Sequence, residues 1–198
     1  MMTEWNDAKH SLSVRLAKID WTDLFEEIPY KKLCDLGVYL VFTGENGIEL
    51  EVTNDLLNAW GVTAEEAMTQ AWDNMAADIQ VQTLGGLVSG ILGFDEEGGV
   101  DPTQSLVLSN EAKYYGAAYI ACPGVMKKIE AKIGSFWLLP SSVHEVIVMP
   151  KTVAKSPVGL SEMVCHVNET FDPEDRLSDH IYEYRDGVFS SVYDAVKI

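Results

Sequence analysis

Apolar positions change period several times along the chain, and each change marks an element. Ser11 to Ile19 alternates well enough to predict a strand. Asp20 is placed to cap a short helix running through Glu27, which Pro29 ends. Gly37 to Phe42 is an unbroken β-branched and aromatic run. Gly44-Glu-Asn-Gly47 supplies turn residues, and Ile48, Leu50 and Val52 then alternate with Glu49 and Glu51. That order predicts a hairpin whose second strand has one wet, acidic face.

The next stretch carries the densest local signals. Asn54 is expected to cap a short helix that Gly61 closes after Trp60. Thr63 with Glu66 three residues on predicts a capping box, and Val62 and Ala67 occupy staple positions. Ala64, Ala67, Met68, Ala71, Trp72 and Met75 recur at helical spacing. These two helices are expected to pack on the preceding hairpin. Leu84 to Leu92 is expected to form a glycine-rich helix.

In the second half, Ser105 to Leu108 and Tyr114 to Ala121 read as strands, the latter with Gly116 inside it. Pro123 opens a helix and Gly134 closes it, with Val125, Met126, Ile129 and Ile133 as its apolar face. Phe136 to Leu139 and Val143 to Met149 read as strands broken by Pro140-Ser-Ser142. Leu160, Met163, Val164 and Val167 mark a further helix. Ile181 to Tyr184 and Val188 to Tyr193 form a hairpin around Arg185-Asp-Gly187. Helices and hairpins interspersed in this way predict an α+β fold with a mixed, mostly antiparallel sheet. A single compact domain is expected over 1–198, and the loop 95–102 (DEEGGVDP) is the only candidate boundary between sub-lobes.

Composition narrows the class. At 198 residues, about 70% of the unfolded surface can be buried, so one core needs no staple. The three cysteines, Cys34, Cys122 and Cys165, are widely spaced and fit neither a disulfide framework nor a zinc site, so a reducing cytoplasm is the expected compartment. The longest uncharged run, Ile79 to Phe94, holds four glycines and is short for a bilayer span. Its Gly86 and Gly90 form a GxxxG, which implies close packing. The charge is the unusual feature: 31 acids against 14 Lys and Arg give a net charge of -17. That argues against direct nucleic-acid or anionic-membrane binding. The excess is local. Leu33 to Ala112 contains no Lys, Arg or His and holds 14 acids, whereas the rest has 17 acids and 14 bases.

Two stretches together resemble a family of uncharacterised bacterial proteins, a domain of unknown function. Val52 to Asn74 has its WGV helix-turn-helix segment, and Asn110 to Pro150 carries N-x5-GAA, C-P-G-V and L-P-S-S-x-H-E-V-I. The late L-S-D-H-x-Y sequence also fits. The resemblance covers roughly Val14 to Tyr184. It implies one compact unit, and that relatives carry an additional N-terminal segment. It implies no activity, substrate or cofactor.

The densest polar group is Ser141, Ser142, His144 and Glu145, set between apolar runs. On a strand, Ser142 and His144 share a face and Glu145 points away, so a Ser-His pair is one reading and a hydrogen-bonded turn the other. No G-x-S-x-G elbow is present. Asn110 can cap a turn or face the same cleft as Ser141. Gly116 with Ala117 and Ala118 implies a close neighbour, a helix or a ligand. Cys122 precedes Pro123 near a helix start, which would favour its thiolate; Cys165 reads as core. Asp172, Glu174 and Asp175 read as capping or loop charges. The four histidines are scattered and phosphate loops are absent, so no metal and no cofactor is implied.

The expected function is non-enzymatic protein-protein binding, with residues 33–112 as an acidic docking face for a partner that is basic. Glu49, Glu51, Glu65, Glu66, Glu96 and Glu97 are its candidate contacts. The alternative is a small hydrolase or ligand-binding enzyme with a cleft near Asn110, Ser142 and His144.

Overall fold

The structure, a computed structural model, describes residues 4–44, 46–84, 86–91 (backbone only), 103–140 and 142–192. It is α+β, with two antiparallel sheets. The chain divides into two compact units, Met1–Ala77 and Asp78–Ile198. The loop 95–102 lies outside the described residues.

In the first unit, α1 (Trp5–Ala8) leads into β1 (Leu12–Lys18), followed by β2 (Tyr30–Leu33), β3 (Leu36–Thr43), β4 (Glu49–Glu51), α2 (Asn54–Trp60) and α3 (Ala64–Met75). β3 is central: β1 pairs along one side, while β2 and then β4 share the other. Leu12, Val14, Leu16, Val38, Leu40 and Phe42 alternate onto one sheet face, and α3 packs on β1 and β3. Its buried face is Ala67, Ala71 and Met75, small enough at two turns for close approach. Trp72 and Met68 are half-buried rather than central. The other sheet face buries Tyr39 and Val41 with Ile28, Leu24 and Phe25. There the Phe25 ring sits directly over Gly37, where any Cβ would collide with it.

Several local expectations change here. Residues 20–27 form two 3-10 turns, Ile19–Trp21 and Leu24–Glu26, rather than a helix capped by Asp20. Thr22 Oγ1 accepts from the Leu24 amide instead, and the turns bring Phe25 to the sheet. β2 was not foreseen: four residues with two lysines carry no apolar run. The cap of α2 is Thr53, whose Oγ1 accepts from the Leu56 amide at 3.2 Å, not Asn54. Gly61 closes that helix at φ +70°, and the Thr63–Glu66 capping box is present at both of its hydrogen bonds.

The second unit holds β5 (Ile79–Thr83), β6 (Gly86–Ile91), β7 (Leu106–Asn110), α4 (Pro123–Ile133), β8 (Phe136–Leu139), β9 (Val146–Pro150), α5 (Leu160–Asn168), β10 (Tyr182–Arg185) and β11 (Val188–Ser191). The sheet order is β11-β10-β8-β9-β7-β5-β6. α4 lies against β10 and against the 3-10 helix Gly116–Ala121, which packs on β7 and β9. Glu130 of α4 accepts from the amides of Asp186 and Gly187, closing the β10–β11 turn. Leu160 and Val164 of α5 pack with Trp137, Leu139, Ile181 and Val192. Lys151 pairs with Glu183 and lies over the Trp137 ring.

Four more expectations are corrected. Gly86–Ile91 is a strand paired to β5, not a helix; two glycines weaken a helix, and the sheet edge offers ladder bonds. Residues 114–121 are a turn and a 3-10 helix, not a strand. His144 and Glu145 precede β9 rather than lying in it. On α5, Met163, Val167 and Cys165 are exposed, and the buried stripe is Leu160, Val164 and Asn168. No helix among the described residues is long and apolar enough to cross a membrane.

Candidate functional site

The polar residues singled out in the second unit meet where β7 ends and β9 begins. Asn110, the last residue of β7, closes the following turn with its side chain: Nδ2 donates to the Tyr114 carbonyl at 2.7 Å and Oδ1 accepts from the Tyr114 amide at 2.9 Å. Lys113 and Tyr115 both adopt left-handed backbone, at φ +51° and +55°. The chain then passes so close to β7 that a Cβ on Gly116 would lie 2.7 Å from the Asn110 nitrogen. The close neighbour implied by Gly116 is therefore the adjacent strand, neither helix nor ligand.

This turn delivers the Tyr115 amide to His144 Nδ1 at 3.2 Å. On the opposite side of the ring, Nε2 lies 3.0 Å from Asp175 Oδ1. Since Nδ1 accepts from an amide, the proton sits on Nε2 and is donated to the carboxylate. Asp175 ends the 3-10 turn Pro173–Asp175, and its carbonyl accepts from the Val143 amide at 2.8 Å. Tyr114 stacks on the imidazole at 5.5 Å and Tyr115 meets it edge-on at 5.5 Å. His144 thus ties the 110–116 turn to the 173–175 turn.

Ser142 does not reach that ring. Its Oγ accepts from the His144 backbone amide at 2.9 Å, and Ser109 Oγ donates to the His144 carbonyl at 2.8 Å. Ser142 is buried and bridges to Arg176, whose guanidinium donates to the Phe171 carbonyl. Glu145 is exposed, and Ser141 lies outside the described residues. The structure therefore joins Asn110, His144 and Ser142 in one hydrogen-bonded corner, but through backbone groups. Asp175 and the two tyrosines were missed as partners of His144. Asp175 lies 31 residues away with no spacing rule to connect it.

The acidic candidates separate into kinds. Glu49 is paired with the buried Arg15. Glu66 is spent on the capping box, where the Thr63 amide and hydroxyl hold its carboxyl below the usual carboxylate range. Glu51 and Glu65 are exposed and have no ion-pair partner among the described residues. Glu96 and Glu97 lie outside the described residues. The base-free run crosses the boundary between the two units. The first unit alone has 14 acids against 5 Lys and Arg.

Among the cysteines, Cys165 is exposed; partial burial and the carboxylates of Asp179 and Glu169 push its thiol up. That disfavours the nucleophilic thiolate. No three His, Cys, Asp or Glu side chains gather as a metal site among the described residues.

Fold and corner together define an α+β protein of two antiparallel sheets whose histidine is bonded at both nitrogens. The chain belongs to the family of unknown function DUF5688, whose profile matches residues 1–186. No match was found among curated proteins or among solved structures.

Proposed function

We propose that this protein acts by binding a basic protein partner, without chemistry of its own, and that the acidic surface of the first unit is the docking face. The observation that carries this reading is the state of Glu51 and Glu65: exposed carboxylates without an ion-pair partner among the described residues, in a unit with 14 acids and 5 bases. Such a surface steers and holds cationic partners by Coulomb attraction. The engagement of His144 supports it from the other side. A general base needs one free ring nitrogen within reach of a nucleophile, but Nδ1 takes the Tyr115 amide, Nε2–H faces Asp175, and Ser142 Oγ is held by a backbone amide.

The test is fluorescence anisotropy with a lysine- and arginine-rich peptide at about 0.15 M salt. Glu65→Lys with Asp73→Lys on α3 should weaken binding at least about fivefold. Glu162→Lys on α5 with Glu169→Lys just after it, the same change of net charge, should leave it nearly unchanged. Equal losses from both pairs would mean that net charge alone attracts the peptide, and would overturn the docking face.

A further inference from the structure

The two edges of the first unit's sheet are treated differently by the sequence. On the β1 edge three outward backbone groups are covered by side chains. The Val14 amide donates to Met75 Sδ, the Leu12 carbonyl accepts from Asn74 Nδ2, and Arg15 folds back onto the Val14 carbonyl. The opposite edge is composite, and no further strand pairs with it among the described residues. Reading along β3 from Thr43 to Leu36, β4 contributes Glu49, Leu50 and Glu51 opposite Thr43, Phe42 and Val41. After a gap at Leu40, β2 contributes Tyr30, Lys31, Lys32 and Leu33 opposite Tyr39, Val38, Gly37 and Leu36.

The pairing pattern tells which backbone groups face outward. The Gly44 amide donates to the Ile48 carbonyl and the Val52 amide to the Leu40 carbonyl, so the even-numbered residues of β4 and its flanks bond to β3. Antiparallel ladders alternate, so Glu49 and Glu51 turn their N–H and C=O away. Leu33 and Leu36 flank a two-residue turn and form a bonded pair, so by the same alternation Tyr30 and Lys32 face outward. All of Glu51, Tyr30, Lys31 and Lys32 are exposed.

This edge is its own complement. A two-fold axis at Leu40 exchanges the position of Thr43 with that of Gly37, and Val41 with Tyr39. It sets Glu49 opposite Lys32 of a second copy, Glu51 opposite Tyr30, and Leu50 opposite Lys31. Each outward-facing residue then meets another outward-facing residue, which is the condition for a bonded antiparallel pair. The side chains of Glu49, Glu51, Tyr30 and Lys32 lie on one face, so Lys32 of one copy faces Glu49 of the other, which Arg15 also holds, and has Glu51 as its diagonal neighbour. Pairing β4 with β4 instead would set Glu49 against Glu51, which like charges disfavour.

We propose that this protein forms a two-fold dimer by joining the β4–β2 edges of two copies into one continuous antiparallel sheet of eight strands. Across a seam of this length, about eight backbone hydrogen bonds form. At physiological salt, charges more than about 8 Å apart are largely screened, so neighbouring Glu–Lys pairs act while the repulsion between two acidic copies is muted. This dimer takes up Glu49 and Glu51, so of the two free carboxylates named above it leaves Glu65, with the rest of α3, for a partner; it does not rest on that reading.

The test is sedimentation velocity of the full chain over a concentration series at about 0.15 M salt. A concentration-dependent dimer is expected. Lys32→Glu should weaken it at least about tenfold by setting glutamate against Glu49, and Lys32→Pro should weaken it by removing an amide that the alternation turns away from β3. Lys127→Glu on α4 should leave it unchanged. If Lys32→Pro fails to fold, Lys32→Glu decides. The register is checked by oxidation. A mixture of Lys31→Cys and Leu50→Cys proteins should cross-link as a heterodimer, in excess of what either variant does alone. A monomer up to about 0.1 mM, or a dimer indifferent to Lys32→Glu and to the folded Lys32→Pro variant, overturns the proposal.

Discussion

His144 Nε2 lies 3.0 Å from Asp175 Oδ1, and through this bond a turn after β7 is tied to a turn after α5. Because both ring nitrogens are in use, the pair is expected to stabilise the second unit rather than to catalyse. Asp175→Ala should destabilise by about 1 kcal/mol, discounted from a fully buried charged bond because both side chains are partly exposed. A double-mutant cycle with His144→Ala in urea should show coupling, and nitrogen NMR shifts should report the Nε2–H tautomer. Additive losses, or the Nδ1–H tautomer, would remove the interlock.

Arg15 is almost wholly buried, and Glu49 is the acid that pairs with it. Removing one partner leaves a buried charge unmatched. Glu49→Ala is expected to cost about 2 kcal/mol in chemical denaturation, less than for a fully buried pair because Glu49 is one-third exposed. A cost under about 0.5 kcal/mol would show the guanidinium solvated by other means.

Thr63→Ala should lower stability by roughly 1 kcal/mol at neutral pH through loss of the α3 cap. The sign of its pH dependence follows from Glu66. A carboxyl held below its unfolded value stabilises the fold above that unfolded value, and loses the contribution as pH falls through the folded one. The difference in melting temperature between wild type and Glu66→Gln should therefore shrink on acidification below the ordinary glutamate range. A difference that is constant from pH 7 to pH 3 would contradict the ionised cap.

Tyr184 behaves oppositely. Burial first and the Glu130 carboxylate second push its hydroxyl above the usual tyrosine range. Its contribution is complete below the unfolded value and is lost as pH rises through the folded one. Glu130→Gln should bring the Tyr184 transition part of the way back, read as the difference between ultraviolet titrations with and without Tyr184→Phe. An unmoved transition would leave burial as its only cause.

Glycine substitutions separate close approach from mere turn residues. Gly37→Ala meets the Phe25 ring, and Gly116→Ala meets Ser109 and the Asn110 backbone, whereas nothing lies within 4 Å of a Cβ at Gly124. The first two should each cost about 1–3 kcal/mol through overpacking. Gly124→Ala in the first turn of α4 should be neutral or slightly stabilising. Equal melting temperatures for all three would refute the close packing.

How much was legible followed the range of the interaction. The hairpin at 44–47, the capping box, Gly61, the helix Pro123–Ile133 with its four buried residues and the Arg185-Asp-Gly187 hairpin are all written within a few neighbours. β2 escaped because an edge strand with two lysines needs no apolar pattern; its ladder bonds to β3 define it. Residues 114–121 were misread because an apolar run records burial, and a 3-10 helix on β7 buries it as fully as a strand would.

The sequence by itself determined the α+β class, the Thr63–Glu66 capping box, the glycine ends at Gly61 and Gly134, the surplus of carboxylates and the closeness of Ser142 to His144, since these depend on local conformation and on composition. Only the tertiary structure decided what those groups do. Asp175 reaches His144 through chain reversals that no spacing encodes. Glu49 finds Arg15 across a strand, and the β4 and β2 edges line up because both borrow the same side of β3. Hydrogen bonds and ion pairs act over a few ångströms of space, and the distance along the chain between their partners carries no energy that a local pattern could reveal.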